Sequence, residues 1–394
     1  MSPASFVLAH AAHPDWRIAF ARAHNQLQAQ FAARRAEHPD AAPFTLGWCY
    51  LSDYYAANAE AIVAALRDDL PEVAWVGTDG LGVAATGIEY FDEPALVLML
   101  APLPRDAFRL FSGLQPLPQH PTDFVAHTAL VHAEATTPDV QELLQELAAR
   151  TTTGYLFGGL SSARTHTLQI ADRVLDGGLS GVAFTSAVGL VSRVTQGCQP
   201  IGPQRMVTEG EGNYAIRLDG RPALECLLVD LGLDGELEED ELLEALSATL
   251  VGLGQGGEGD RLAPPGRFGS DTLVRHLVGV DPQHQVLAVG DEIAVGTRLT
   301  FCTRNPEAAR ADLVRIVDEI RAELAASGEQ AAGALYVSCS GRGGPHFGAP
   351  HAELRALREA LGDVPLAGFF AGGEVARDRL YGYTGVLTVF TTAA

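Results

Sequence analysis

One pattern recurs along the chain and limits the folds open to it. A helical stretch leads into a short apolar strand, the strand runs into a turn of small residues, and further strands follow. The first copy is Val73-Ala-Trp-Val-Gly-Thr-Asp-Gly80, followed by an apolar strand at Ala95–Leu100. The second has a helix at Val140–Arg150, then Gly154-Tyr-Leu-Phe-Gly-Gly-Leu-Ser161, then a strand at Gly181–Ser186. The last has a helix at His351–Leu361, then Pro365-Leu-Ala-Gly-Phe-Phe-Ala-Gly-Gly-Glu374, then a strand at Gly385–Phe390. Degenerate internal repeats of this kind bring equivalent turns to equivalent places. The strands arrive in hairpin-like groups between helices rather than in strict βαβ alternation. That favours an α/β fold leaning to α+β, with mixed or antiparallel sheets flanked by helices, arranged as two related halves. A doubly wound parallel sheet is the alternative.

Local signals fill in the rest. Pro14 and Asp15 open a helix in which Trp16, Phe20, Ala23, Leu27 and Phe31 share one face, and Pro39–Pro43 end it. A strand over Thr45–Leu51 and a helix over Asn58–Asp69 follow. Leu237–Leu250 reads as a helix with an acidic start, and Gly252–Gly269 as a Gly/Pro-rich loop. Strands at Leu273–Val278 and Gln285–Val289 precede a long helix at Pro306–Ala326. Its Ala309, Leu313, Ile316, Ile320 and Leu324 form one stripe. Ala334–Cys339 is a near-continuous apolar run, expected to be buried on both faces.

Charge and residue usage exclude several classes. The balance of 27 basic and 49 acidic residues leaves a net charge of −22. Such a surface repels phosphate backbones and anionic headgroups, so nucleic acid and membrane are poor partners. All basic residues are arginine. Without lysine there is no P-loop cation and no Schiff base for pyridoxal phosphate. Five scattered cysteines without a CxxC pair fit reduced thiols in a cytoplasmic protein. No basic leader opens the sequence, and the longest apolar run, Ala95–Leu103, is too short to span a bilayer. Gly254-Gln-Gly-Gly-Glu-Gly259 matches GxGxxG but does not follow a strand. His346, His351 and Cys339 are the one loose metal-ligand set. No metal or cofactor is expected.

Three segments carry candidate chemistry. Cys339-Ser340-Gly341-Arg342-Gly343-Gly344 lies at the end of a buried strand, where glycines let backbone N–H groups converge and an arginine fork can grip a carboxylate. Gly368-Phe-Phe370-Ala-Gly-Gly373-Glu374 sets a carboxylate after two glycines, suited to an ammonium group or to Arg342 itself. Gly197-Cys198-Gln-Pro-Ile-Gly-Pro203 has a tightly fixed backbone, and Cys198 is either a reactive thiol or a buried inert one. Gly159 and Ser161, in Gly158-Gly-Leu-Ser-Ser162, can donate backbone and hydroxyl groups to a pocket or simply make a turn.

Taken together these segments resemble the FIST family (F-box and intracellular signal transduction). The matching stretches are Val76-Gly-Thr-Asp-Gly80, Phe157-Gly-Gly-Leu-Ser161, Gly197–Pro203, the linker-like Asp219–Leu228, Phe301-Cys-Thr-Arg304, Cys339-Ser-Gly-Arg-Gly343 and Leu366–Glu374. The resemblance implies a sensory module for a small ligand such as an amino acid. With no F-box or kinase region visible, it implies a stand-alone copy that acts through a signalling protein partner. The expected division is an N-terminal part, 1–218, and a C-terminal part, 219–394, meeting at a shared pocket. Arg342 with Ser340, Gly341 and Gly343 would receive a carboxylate. Glu374 with Gly373 and Phe370 would receive an ammonium group, with Cys198, Gly159 and Ser161 nearby. A protein-interaction scaffold and a thiol-dependent hydrolase using Cys198 or Cys339 are the alternatives; the lead reading is not an enzyme.

Overall fold

A computed structural model describes residues 5–119, 123–233, 246, 248–254, 268 and 272–393. The chain gathers into two compact units, 1–195 with 313–394, and 196–312. Six helices occur among the described residues: α1 (Trp16–Glu37), α2 (Ala59–Asp69), α3 (Val140–Ala148), α4 (Ala223–Leu231), α5 (Pro306–Ser327) and α6 (Ala352–Leu361).

The first unit is built three times on one plan. Its nucleus is a pair of parallel strands joined by a helix. Leu46–Ser52 pairs with Ala74–Gly80 across α2. Thr128–Ala133 pairs with Tyr155–Leu160 across α3. Glu329–Cys339 pairs with Leu366–Ala371 across α6. In each copy the strand that closes the repeat, Ala95–Ala101, Leu179–Phe184 or Thr384–Ala393, lies antiparallel on the outer side of the first strand. A further strand completes each edge: Val7–Ala12, Phe108–Ser112 and Leu190–Gln196 respectively.

The hairpin that follows each second strand does not stay in its own sheet. The hairpin Gly82–Ala85/Ile88–Phe91 of the first copy pairs with Leu366–Ala371 of the third. The second copy's Gln169–Ala171/Val174–Leu175 pairs with Ala74–Gly80 of the first. The third copy's Glu374–Arg377/Arg379–Tyr381 pairs with Tyr155–Leu160 of the second. The exchange is cyclic and closes, so each of these sheets has six strands, one hairpin of which is borrowed.

Mixed sheets flanked by helices are therefore what the chain forms, but two related halves are not. The recurrence is threefold and confined to the first unit. The second unit has another topology: its described strands pair only antiparallel, with none of the parallel pairs that mark the three copies. Six antiparallel strands (Arg205–Glu211, Tyr214–Leu218, Val286–Val289, Thr272–Asp281, Thr249–Gly254 and Arg298–Arg304) close on themselves through the pairing of Thr249–Gly254 with Arg298–Arg304. Closure removes the exposed edges an open sheet would have. The expected helix at Leu237–Leu250 lies mostly outside the described residues, and its last residues, Thr249 and Leu250, belong to a strand. The loop expected over 252–269 likewise begins as strand, and most of it lies outside the described residues.

Each copy has its own apolar core under its helices. Ala19, Ile62 and Leu98 belong to the first, Leu144 and Val131 to the second, and Ile316, Leu354 and Leu387 to the third. The opposite faces of the three sheets meet over an aromatic core. The Tyr50 ring stacks on Phe369 at 5.2 Å, and His132 meets both rings edge-on. Trp48 and Phe184 both abut Phe390. Burial on both faces is why strands such as Ala95–Ala101 read as unbroken apolar runs instead of alternating. Each such fully buried large side chain contributes roughly 1.5–3 kcal/mol.

Candidate functional site

The small-residue segments expected as turns are strand instead, within Ala74–Gly80, Tyr155–Leu160 and Leu366–Ala371, and their glycines sit where parallel strands press together. A Cβ on Gly77, Gly158 or Gly368 would collide with the backbone carbonyl of Cys49, Val131 or Tyr336, the facing residue of the parallel partner strand. One such glycine occurs per copy, at the equivalent position. Just beyond, the strand ends of all three copies bind one another. The Thr78 and Ser161 hydroxyls are 2.6 Å apart. The Ser162 hydroxyl donates to the Phe370 carbonyl at 2.5 Å and accepts from the Leu81 N–H at 3.0 Å. The Leu160 N–H donates to the Gly373 carbonyl, and the Ser340 N–H to the Ala371 carbonyl, both at 2.8 Å. Ser161, Gly159, Phe370 and Gly373 thus join the sheets together, and Gly159 faces Glu374 in register.

The third copy adds charge to this junction. Arg342, 1 % exposed, directs its Nε to Glu353 Oε1 at 2.6 Å and its Nη2 to the Thr195 hydroxyl at 3.4 Å. Its guanidinium lies 5.1 Å from the Phe347 ring centroid, within cation–π range. Glu353, in the first turn of α6, also accepts from the Tyr336 hydroxyl at 2.6 Å and the Ser338 hydroxyl at 3.1 Å. Gly343 is pressed against the Phe370 ring, and Gly341 against Tyr383. The Arg342 and Gly343 N–H groups both donate to the Cys339 carbonyl, so they close the turn rather than converge on an anion.

Glu374 is fully buried. Its Oε2 accepts from the Thr384 hydroxyl at 2.7 Å and the Thr384 N–H at 3.1 Å. Burial pushes its carboxyl up to about 8, against the pull of the Thr384 hydrogen bonds and the Arg342 charge. Burial and the Glu374 carboxyl push the Cys339 thiol up to about 12, so it is neutral near pH 7 and a poor nucleophile as it stands. Cys198 belongs to the other compact unit. There it is buried beside Cys302, whose thiol is raised well above its usual range by the hydrogen bond with Cys198 and by burial. All five cysteines are free and buried. Among the described residues no cluster of three or more His, Cys, Asp or Glu side chains is placed to hold a metal ion.

Sequence reasoning found Arg342 and Glu374 but missed Glu353. Glu353 stands at the second position of α6, where an acidic residue reads as an ordinary helix start. Only the return of the chain through the Gly344–Phe347 turn brings it under Arg342.

Fold and junction define a threefold, hairpin-exchanged α+β unit, with a buried charge cluster in one copy and a closed barrel unit inserted in that copy's sequence. The chain belongs to the FIST family: the FIST N domain matches residues 45–221 and the FIST C domain residues 223–377. FIST domains are sensory domains of signal transduction. The chain is 32% identical over 350 residues to the uncharacterized protein Rv0628c of Mycobacterium tuberculosis, covering 84% of this chain and 88% of that one. It is 29% identical over 363 residues to the uncharacterized protein Mb0898c of Mycobacterium bovis, covering 84% and 87%. No helix among the described residues is long and apolar enough to cross a membrane.

Proposed function

We propose that this protein senses a small ligand, an amino acid or a small carboxylate, at the Arg342–Glu353–Glu374 cluster. The observation that carries the reading is that cluster itself: one guanidinium and two carboxyl groups, each 1 % exposed or less, at the junction of the three copies. Replacing a buried ion pair by apolar residues is often neutral or stabilising, so stability alone does not call for these groups. A carboxyl raised as far as Glu374 is also the kind of group that collects at functional sites.

The chemistry is an exchange. The ligand's carboxylate takes the place of Glu353 on Arg342, and Glu374 receives the ligand's ammonium group. A zwitterion brings one charge of each sign, and Glu374, protonated near pH 7 with its carboxyl at about 8, releases its proton to solvent as the ammonium group arrives, so its new charge replaces that of the displaced Glu353. Displacing Glu353 loosens the first turn of α6, which links occupancy to the outer face of the third copy and to a signalling protein partner. The sequence parts 1–218 and 219–394 serve as the family's two modules, working in the cytoplasm, where free thiols persist. Neither a cofactor nor a metal takes part, and nucleic acid and membrane are not partners of so acidic a surface.

A thermal-shift screen of amino acids and small organic acids tests this. Stabilisation at millimolar ligand is expected. Arg342→Ala should weaken it about tenfold or more, from the roughly 1.5–3 kcal/mol of a charge-assisted hydrogen bond. Glu353→Gln, which loosens the internal competitor, should strengthen it. No stabilisation by any compound at millimolar concentration refutes the proposal.

A further inference from the structure

We propose a second ligand site, for a primary ammonium cation, in the cleft between the strand Ile88–Phe91 and the turn Gly344–His351, with Glu89 as its receptor. The cleft has a volume of about 510 Å³ and is lined by Glu89, Phe91, Glu93, Gly344 and His351 among others. That is within the usual range for small-molecule sites.

Glu89 is 4 % exposed, and its two oxygens are treated differently. Oε1 accepts from the His351 N–H at 2.8 Å, and the Glu89 N–H donates to His351 Nδ1 at 3.2 Å. This reciprocal pair locks the carboxyl in place and leaves the ring proton on Nε2. Oε2 is buried and has no hydrogen-bond partner among the described residues. An unpaired buried acceptor is costly, so a donor from outside completes the site.

The surroundings decide which donor. Asp92 is already engaged by Arg164 and by the Tyr54 hydroxyl. Glu93 lies exposed at the rim. From α6, Glu353 acts on Glu89 as a like charge and Arg355 as an opposite one. Glu353 weighs the more of the two, so with Glu89 and Glu93 the cleft is acidic on balance, a cation is favoured and a carboxylate-bearing ligand is repelled. Phe91, held edge-on against Phe370 at 5.1 Å, supplies an apolar wall for an alkyl chain. Oε2 needs an N–H, which excludes quaternary ammonium. A short alkyl monoamine satisfies all of these, and a diamine adds a second ammonium group for the rim carboxylate of Glu93. This site rests on Glu89 and stands whether or not Arg342 binds a carboxylate.

Calorimetric titration of the full chain at pH 8 with n-butylamine, 1,4-diaminobutane and tetramethylammonium tests it. The two primary amines should bind, tetramethylammonium at least tenfold more weakly, and Glu89→Gln should lose tenfold or more of the amine affinity. Burial raises the Glu89 carboxyl to about 7, so amine binding should weaken as pH falls from 8 to 6. Should Glu89→Gln fail to fold, the cation comparison and the pH series on the wild-type protein decide. No amine binding at millimolar concentration, equal binding of tetramethylammonium, or unchanged affinity in Glu89→Gln would overturn the assignment. Loss of amino-acid binding in Arg342→Ala leaves these outcomes untouched.

Discussion

Replacing Glu353 by leucine removes the acceptor of three buried donors at once. Arg342 Nε and the Tyr336 hydroxyl, both 2.6 Å away, and the Ser338 hydroxyl at 3.1 Å lose their shared partner, while the guanidinium stays inside. Breaking one side of a buried ion pair costs about 3–5 kcal/mol, because the surviving charge is left uncompensated. The double variant Arg342→Leu/Glu353→Leu removes both charges, and its stability should return to within ~1–2 kcal/mol of wild type or exceed it. Urea unfolding followed by tryptophan fluorescence is the assay. All three tryptophans, Trp16, Trp48 and Trp75, lie in the threefold unit, and the last two are fully buried, so the signal reports the part of the chain that holds the pair. With urea m-values of about 2–3 kcal/mol/M, the single variant should unfold roughly 1–2 M earlier. A loss below ~1 kcal/mol for Glu353→Leu, or a double variant no more stable than the worse single one, would refute the account of this pair as a buried charge whose retention needs a reason other than stability.

Two further outcomes are expected. Burial raises the Glu374 carboxyl to about 8 and that of Asp79 to about 7, so the native state holds these protons more tightly than the unfolded chain. The stability these two protons contribute should be full only below the ordinary carboxyl values of 3.8 and 4.5 and be lost as pH rises from there through 7 and 8; Glu374→Gln should flatten that decline and be the more stable protein at pH 9, measured by urea midpoints across pH. His132, lowered to about 3 by burial, adds a loss of stability on the acid side of pH 6.5. Where the parallel strands press together, Gly77→Ala, Gly158→Ala and Gly368→Ala should each cost more than ~3 kcal/mol or give no soluble protein, since each Cβ meets backbone rather than a movable side chain. Gly113→Ala, where a Cβ meets nothing within 4 Å, should change the urea midpoint by the equivalent of less than ~1 kcal/mol.

The recurring pattern of helix, short apolar strand and further strands is a topological unit. The helices α1, α2, α5 and α6 follow from periodicity, caps and prolines almost residue by residue. Asp15 illustrates why: its Oδ1 accepts from the Arg17 N–H at 2.9 Å, a local capping bond that local sequence can announce. The exchanged hairpins were not legible. Strands such as Gln169–Ala171 and Val174–Leu175 are too short to show a period, and what holds them is a sheet belonging to another copy. Count and closure were lost for the same reason. The three segments Gly77-Thr-Asp-Gly80, Gly158-Gly-Leu-Ser161 and Gly368-Phe-Phe-Ala371 look different as sequence, yet each supplies one glycine to a close approach between parallel strands. Arg342 and Glu374 stood out because arginine and glutamate among glycines are conspicuous. Glu353 and Glu89 did not, because each sits in a helix or strand where a carboxylate is ordinary until tertiary packing encloses it.

Where the threefold plan is broken is also informative. The connection from the first strand of each copy to its helix spans residues 53–58 in the first copy, 134–139 in the second and 340–351 in the third. The first two are short bridges, as a strand-to-helix link requires. In the third the extra length lets the chain fold back on itself, carries Arg342 inward under Phe347, and sets His351 in a left-handed backbone conformation (φ 64°) beside Glu89. Non-glycine residues seldom hold that conformation unless their surroundings fix it. The two carboxyl-centred sites proposed here both touch this one connection, Arg342 from its inner side and the Gly344–His351 turn from its outer side. A ligand on either side would bear on α6 through the same few residues. In a scaffold whose other two copies show how little chain is needed to close the fold, the surplus residues of 340–351 are where binding chemistry has room to be added without disturbing the paired parallel strands.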